Sequence, residues 1–127
     1  MTHKPNGSGL TRLVRATECS MKGIASAWRD EAAFRQECVL AVILIPVALW
    51  LGETPLEISL LISSLLLLLV VESLNSAVEA AIDRIGPEHH PLSAKAKDLG
   101  SAAVFFTMLI IAVLWIPFFW QKITPLL

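Results

Sequence analysis

The stretch Glu72–Asp83, ESLNSAVEAAID, follows without a break on the apolar run ISLLISSLLLLLVV at 58–71. On a helix turning about 100° per residue, Glu72, Asn75, Glu79 and Asp83 share a stripe about 80° wide. Lipid offers such groups nothing: an acidic side chain at mid-bilayer costs about 2.5 to 3.5 kcal/mol on insertion scales. The four residues therefore form one polar face that has to meet a watery cleft or another protein surface. An unbroken helix from Pro55 to Asp83 is about 43 Å long against a hydrocarbon core of about 30 Å, so it overruns the membrane. Glu72 lies about 21 Å beyond Ile58. The polar stripe thus starts near one membrane edge and steps outward into headgroups and water.

The rest of the chain agrees with a membrane setting. It has 127 residues, 55% of them hydrophobic, and a mean hydropathy of +0.67, too apolar for an ordinary soluble domain. The net charge of -1 argues against a nucleic-acid partner. Basic residues are unevenly placed: six of ten precede Ala41, none lies between Leu51 and Glu57, and Arg84, Lys95 and Lys97 cluster in the second connection. By the positive-inside rule the N-terminus and that connection are cytoplasmic, while the Gly52 turn and the C-terminus face outward. The opening residues contain no apolar stretch of the kind a signal peptide needs, and 1–9 read as a flexible tail. Cys19 and Cys38 fall on the cytoplasmic side without zinc-ligand spacing to a second Cys or His, and read as free thiols.

Leu10, Leu13, Val14, Met21, Ile24 and Trp28 recur with the helical period, opposite Arg12, Arg15, Lys22, Ser26 and Arg29. A basic amphipathic helix over 10–30 suits the membrane surface. The run CVLAVILIPVALWL at 38–51 is too short to read as a span by length alone, but EAAFRQE before it extends a span to about 33–51. Thr54-Pro55-Leu56-Glu57 reads as a capping box with Pro at the first helical position, opening a helix over 55–85 that Gly86-Pro87 ends. Ser93 is a plausible N-cap for a short extension, SAKAKDLG, leading into a span over 97–120. The fold class expected is an all-α membrane protein, one domain over 1–127, with a surface helix and three transmembrane helices.

Glu72 and Glu79 stand two turns apart, about 10 Å along the axis, and cannot share one metal ion. That separation suits phosphoryl transfer, where one carboxylate takes a proton from an acceptor and another holds Mg²⁺ on a polyphosphate. Arg12, Arg15 and Lys97 are cations on the same side, and Glu31 could complete the metal site. The soluble nucleotide fingerprints GxxxxGK[ST] and GxGxxG are absent. Blander readings exist: Lys97-Asp98 as an interfacial charge pair, His89 and His90 as solvated loop residues, Ser63, Ser64, Ser76 and Ala77 as close-packing positions. A proton-coupled exporter would also use a membrane carboxylate. Between Ile58 and Glu72, however, the only polar residues are serines, so no polar path across the bilayer is evident. Three spans shield an acidic stripe poorly, and self-association is the natural enclosure.

ESLNSAVEAAIDRIG at 72–86, EAAFRQE at 31–37 and AKDLGSAAV at 96–104 resemble, in order and over about Leu10 to Trp120, the small prokaryotic integral-membrane diacylglycerol kinase family. The resemblance implies a homotrimer in the bacterial inner membrane that transfers the γ-phosphate of Mg-ATP to diacylglycerol, giving phosphatidic acid. It implies Glu72 as general base, with Asn75 beside it in the catalytic site. Glu31 and Glu79 become the Mg²⁺ ligands. Arg12, Cys19, Glu88, His89, His90, Lys97 and Asp98 join the two metal ligands around ATP. Arg12, Ala25, Ser26, Ala27, Trp28, Ala33, Phe34, Arg35, Gln36, Glu37, Glu72 and Ser101 border the lipid. Each site in the family is completed across a subunit boundary. Cys19 stands where an aromatic residue covers the adenine in familiar members, and Arg15 where a lysine is familiar, which keeps the charge but changes its geometry. A related architecture phosphorylates undecaprenol, and the base and metal residues do not separate the two acceptors.

Overall fold

A computed structural model describes residues 8–127; residues 1–7 of the expected tail lie outside the described residues. Four α-helices follow in order: α1 Leu10–Asp30, α2 Ala32–Leu51, α3 Pro55–Ile85 and α4 Pro91–Ile123, with a 3₁₀ turn at Thr124–Leu126. The three apolar helices α2, α3 and α4 are each long enough to cross a bilayer, α4 together with its terminal turn.

Local chemistry sets the helix ends. Thr54 Oγ1 accepts from Glu57 N at 3.2 Å while Glu57 Oε2 accepts from Thr54 N at 3.1 Å and Glu53 N at 2.7 Å, so the capping box forms in full. Such a cap contributes about 1 kcal/mol. The turn before it is tight: a Cβ on Gly52 would stand 2.6 Å from Ile58 Cγ1. At its other end α3 stops at Gly86, whose φ of 155° is open to glycine and strained for other residues. Pro46 in α2 and Pro117 in α4 lie inside their helices without ending them, as membrane helices tolerate.

The fourth helix departs from expectation. It is continuous from Pro91, and its N-cap is His90 rather than Ser93, with Nδ1 accepting from Leu92 N at 3.1 Å. Proline at the first position needs no hydrogen-bond partner for its nitrogen and brings a helical φ. The charged segment before residue 97 is thus the first turns of the same rod.

The core sits where α2, α3 and α4 meet, toward the end of the bundle that holds the Gly52 turn. Ala48, Leu51, Leu61, Leu65 and Trp115 are buried there, and α3 and α4 form the most extensive pair. Burial thins elsewhere. No residue of α1 is buried, and its apolar residues from Leu10 to Trp28 stay largely exposed. The outward faces of α2, α3 and α4 are likewise apolar and exposed, at Val42, Leu66, Val70, Phe106 and Val113 among others. Those faces suit lipid or other subunits.

Candidate active site

The stripe on α3 changes character along its length. Glu72 is buried at 5% exposure, Asn75 and Glu79 are half-buried, and Asp83 is exposed. The helix therefore carries its carboxylates from the protein interior out to its exposed C-terminal end within three turns. Asn75 Nδ2 donates to Glu79 Oε1 at 3.1 Å, one turn along the same face. The charges of Glu79 and Glu31 both reach Glu72, and that of Glu72 reaches Glu37. Carboxylates from α3, α2 and the α1–α2 elbow thus lie within electrostatic range of Glu72. Like charges within that range repel, and cations would balance them.

Glu31 is placed by the elbow between α1 and α2. It is extended, with φ -111° and ψ 111°, and serves as C-cap of one helix and N-cap of the next. Arg35 braces this elbow: its Nη1 donates to Trp28 O at 2.8 Å and Arg29 O at 3.0 Å, two carbonyls left over at the end of α1. Asp30 is bridged by Arg29, Nε to Oδ1 at 2.9 Å, and accepts from Ser26 at 3.2 Å. The hydrogen bond and charge of Arg29 hold the Asp30 carboxyl below the usual carboxylate range.

Two hollows flank the stripe. One, about 630 Å³, lies between α1 and α3; Ser26, Ala27, Asp30 and Glu31 form one wall and Ser73, Ser76 and Ala77 the other. Serine hydroxyls beside alanines give it mixed walls, suited to a molecule with a polar head and an apolar body. The other, about 360 Å³, lies at the α3–α4 connection and gathers Asp83, Glu88, His89, His90, Lys97 and Asp98. Lys97 pairs with Asp83, Nζ to Oδ1 at 2.7 Å, and not with its neighbour Asp98. Adjacent residues on a helix point about 100° apart, whereas Asp83 faces Lys97 from the neighbouring helix.

The remaining expected site residues are less gathered. Trp28 lines a small apolar hollow with Cys38, Val39, Val42 and Ile43. Phe34 is buried at 4% exposure, Glu37 is half-buried, and Ala25, Ala33, Gln36 and Ser101 are exposed. Arg12 and Cys19 are exposed on α1 and line neither hollow. Ser20 and Ser73, which the sequence pattern does not mark, also line the α1–α3 hollow; both are common surface residues whose role depends on α1 and α3 bordering the same hollow.

Among the described residues no three His, Cys, Asp or Glu side chains gather as a self-sufficient metal site. A hard cation here would take one or two carboxylates and complete its shell with phosphate oxygens and water, as Mg²⁺ does in nucleotide-using enzymes. Glu79 fits that role, because Asn75 occupies Oε1 and Oε2 carries no hydrogen bond among the described residues.

Comparison with known proteins bears on the same residues. The family described as prokaryotic diacylglycerol kinase matches residues 18–119. A diacylglycerol kinase of Haemophilus influenzae is 54% identical over 108 residues, covering 85% of this chain and 92% of that protein. The diacylglycerol kinase of Escherichia coli K12 is 46% identical over 116 residues, covering 91% of this chain and 95% of that protein. One from Pseudomonas aeruginosa is 51% identical over 108 residues, covering 85% and 88%. The family match spans Glu31, Glu37, Glu72 and Glu79 and both hollows, and the chain belongs to the prokaryotic diacylglycerol kinase family.

Proposed function

We propose that this membrane protein is a diacylglycerol kinase that uses Mg-ATP to phosphorylate its lipid at the cytoplasmic face of the bacterial inner membrane. The observation that carries the reading is a buried carboxylate, Glu72, on the helix that walls the lipid-suited hollow through Ser73 and Ser76 and the cation-bearing one through Asp83, inside the region the family matches. Phosphoryl transfer asks a protein mainly to position the reactants and balance charge. The free hydroxyl of diacylglycerol forms a bond to the γ-phosphorus as the bond to the bridging oxygen of ADP breaks. Its proton passes to Glu72, and phosphatidic acid and ADP leave.

Glu31 and Glu79 are the residues that would hold Mg²⁺, which would supply charge neutralisation on the polyphosphate. Asn75 keeps the Glu79 carboxylate oriented. Lys97, with His89, His90, Glu88 and Asp98 around it, receives the polyphosphate and nucleotide. The α1–α3 hollow takes the glycerol end of the lipid, with Ser26 and Ser76 offering hydroxyls and the acyl chains running out past Ala27 and Ala77 into the bilayer.

Arg12 and Cys19 reach no hollow of their own protomer and the apolar faces are uncovered, which supports self-association; in the homotrimer that the family resemblance implies, α1 of one protomer would complete a neighbour's site. The basic N-terminal half keeps α1 and the second connection on the cytoplasmic side, with the C-terminus outside. The diacylglycerol kinase names of the relatives favour diacylglycerol over undecaprenol as acceptor. Offering both lipids in mixed micelles with Mg-ATP tests the choice. Label entering phosphatidic acid supports it, and label entering only undecaprenyl phosphate overturns it.

A further inference from the structure

We infer that Gly100 is a positioning residue for the metal-binding carboxylate: its bare Cα is the surface against which the Asn75 amide is set so that its nitrogen meets Glu79. The inference rests on the reading of Glu79 as a Mg²⁺ ligand and adds the residue on the facing helix that fixes it.

Three independent features lead there. A Cβ built on Gly100 would overlap Asn75 Oδ1 and lie 3.2 Å from Asn75 Cγ. The obstruction is thus the planar amide itself, close to its branch point. Asn75 Oδ1 is buried without a hydrogen-bond partner, while Nδ2 donates to Glu79 Oε1 at 3.1 Å. The amide orientation follows from chemistry: an ionised carboxylate only accepts, so the nitrogen belongs on Glu79 and the oxygen on the glycine side. A buried carbonyl oxygen with no donor is unfavourable on its own, and it is retained where the other end of the amide has a task.

Glycine is also a poor residue for the interior of a helix, where alanine is the better former. Gly100 lies in the tenth position of α4, where propensity alone favours a side chain. A methyl group there would push the amide off the carboxylate or force α3 and α4 apart. Groups that orient a metal ligand typically change metal affinity 10- to 100-fold when altered, and small displacements near a reacting centre cost up to about 100-fold in rate. Gly100 touches no reactant in this reading and acts only through Asn75.

The test compares the full-length protein with Gly100→Ala, Asn75→Ala and the double variant, titrating Mg²⁺ at saturating ATP and diacylglycerol in mixed micelles, with helicity and oligomer size measured alongside. Gly100→Ala is expected to raise half-saturating Mg²⁺ about tenfold or more. In the Asn75→Ala background, where the amide has been removed, the same substitution should add no more than about twofold. A glycine needed only for helix packing predicts instead that the two losses multiply, or that Gly100→Ala leaves the Mg²⁺ dependence unchanged; either overturns the inference. If Gly100→Ala does not assemble, the double variant decides: recovery of the oligomer identifies the amide as the obstruction, and failure to recover rejects it. Inactivity of the unaltered protein would instead reject the kinase reading itself, and a Mg²⁺ dependence untouched by Glu79→Gln would reject the metal role of Glu79, so the failures are distinguishable.

Discussion

Trp115 Nε1 on α4 donates to Ser64 Oγ on α3 at 3.0 Å, and Ser64 Oγ in turn donates to Leu61 O at 2.6 Å, all three residues being buried. This clasp ties the two long helices together about two turns before Glu72, on the side of the Gly52 turn. Ser64→Ala removes the acceptor and strands the indole N–H, which should lower stability by about 1 kcal/mol, the scale of interhelical hydrogen bonds in membranes. Unfolding in detergent, followed by tryptophan fluorescence, measures it. Phosphoryl transfer under folded conditions should stay within about twofold of the unaltered protein, since one RT ln 2 is below 0.5 kcal/mol.

Lys97 and Asp83 are both substantially exposed, with side chains at 43% and 68%. Such a pair is worth about 0 to 1 kcal/mol in stability. Lys97→Met should therefore leave the unfolding midpoint nearly unchanged while raising the KM for ATP or lowering kcat by about tenfold or more, as loss of a phosphate contact does. A large stability loss with activity retained would return Lys97 to the status of a structural ion.

Arg35 donates to two carbonyls at the end of α1. Arg35→Met leaves the elbow without its brace, and the last turn of α1 should exchange its amide hydrogens about tenfold faster, equivalent to about 1.4 kcal/mol of local stability. Because the elbow also sets Glu31 and one wall of the α1–α3 hollow, the KM for lipid should rise several-fold. Arg35→Lys should restore it only in part, since an ammonium lacks the planar fork.

Cys19 is exposed, whereas Cys38 is half-buried on α2. A water-soluble maleimide should label Cys19 first. If α1 of one protomer completes a neighbour's nucleotide site, Mg-ATP should slow that labelling at least threefold, and ADP without Mg²⁺ should protect less, because the metal carries part of the phosphate binding. Identical labelling rates with and without Mg-ATP would separate Cys19 from the nucleotide.

Much of this architecture was legible because its determinants are local. The Thr54–Glu57 capping box, the Gly86 stop and the polar stripe on α3 each depend on residues within a turn or two, and each stands where the pattern puts it. The start of α4 was misread because histidine is an uncommon cap and Ser93 is a common one; Pro91 was the better signal. The relationships that were not legible join distant parts of the chain. Lys97 finds Asp83 fourteen residues away rather than Asp98 beside it, and Gly100 meets Asn75 only because α3 and α4 pack so closely. No periodicity in either helix encodes those meetings. The Arg35 brace is intermediate: it spans an elbow whose existence was expected but whose geometry depends on Glu31 leaving the helical conformation.

The most direct measurement is Mg-ATP-dependent transfer to diacylglycerol by Glu72→Gln beside the unaltered protein, with oligomer size and helicity recorded for both. Glutamine keeps the shape of the side chain and its capacity for hydrogen bonding but cannot take the hydroxyl proton. Loss of a properly placed general base is expected to lower kcat by about 10² to 10⁴, with the KM for ATP and the assembly unchanged. A variant that assembles normally and retains more than about a tenth of the unaltered kcat would contradict Glu72 as the base.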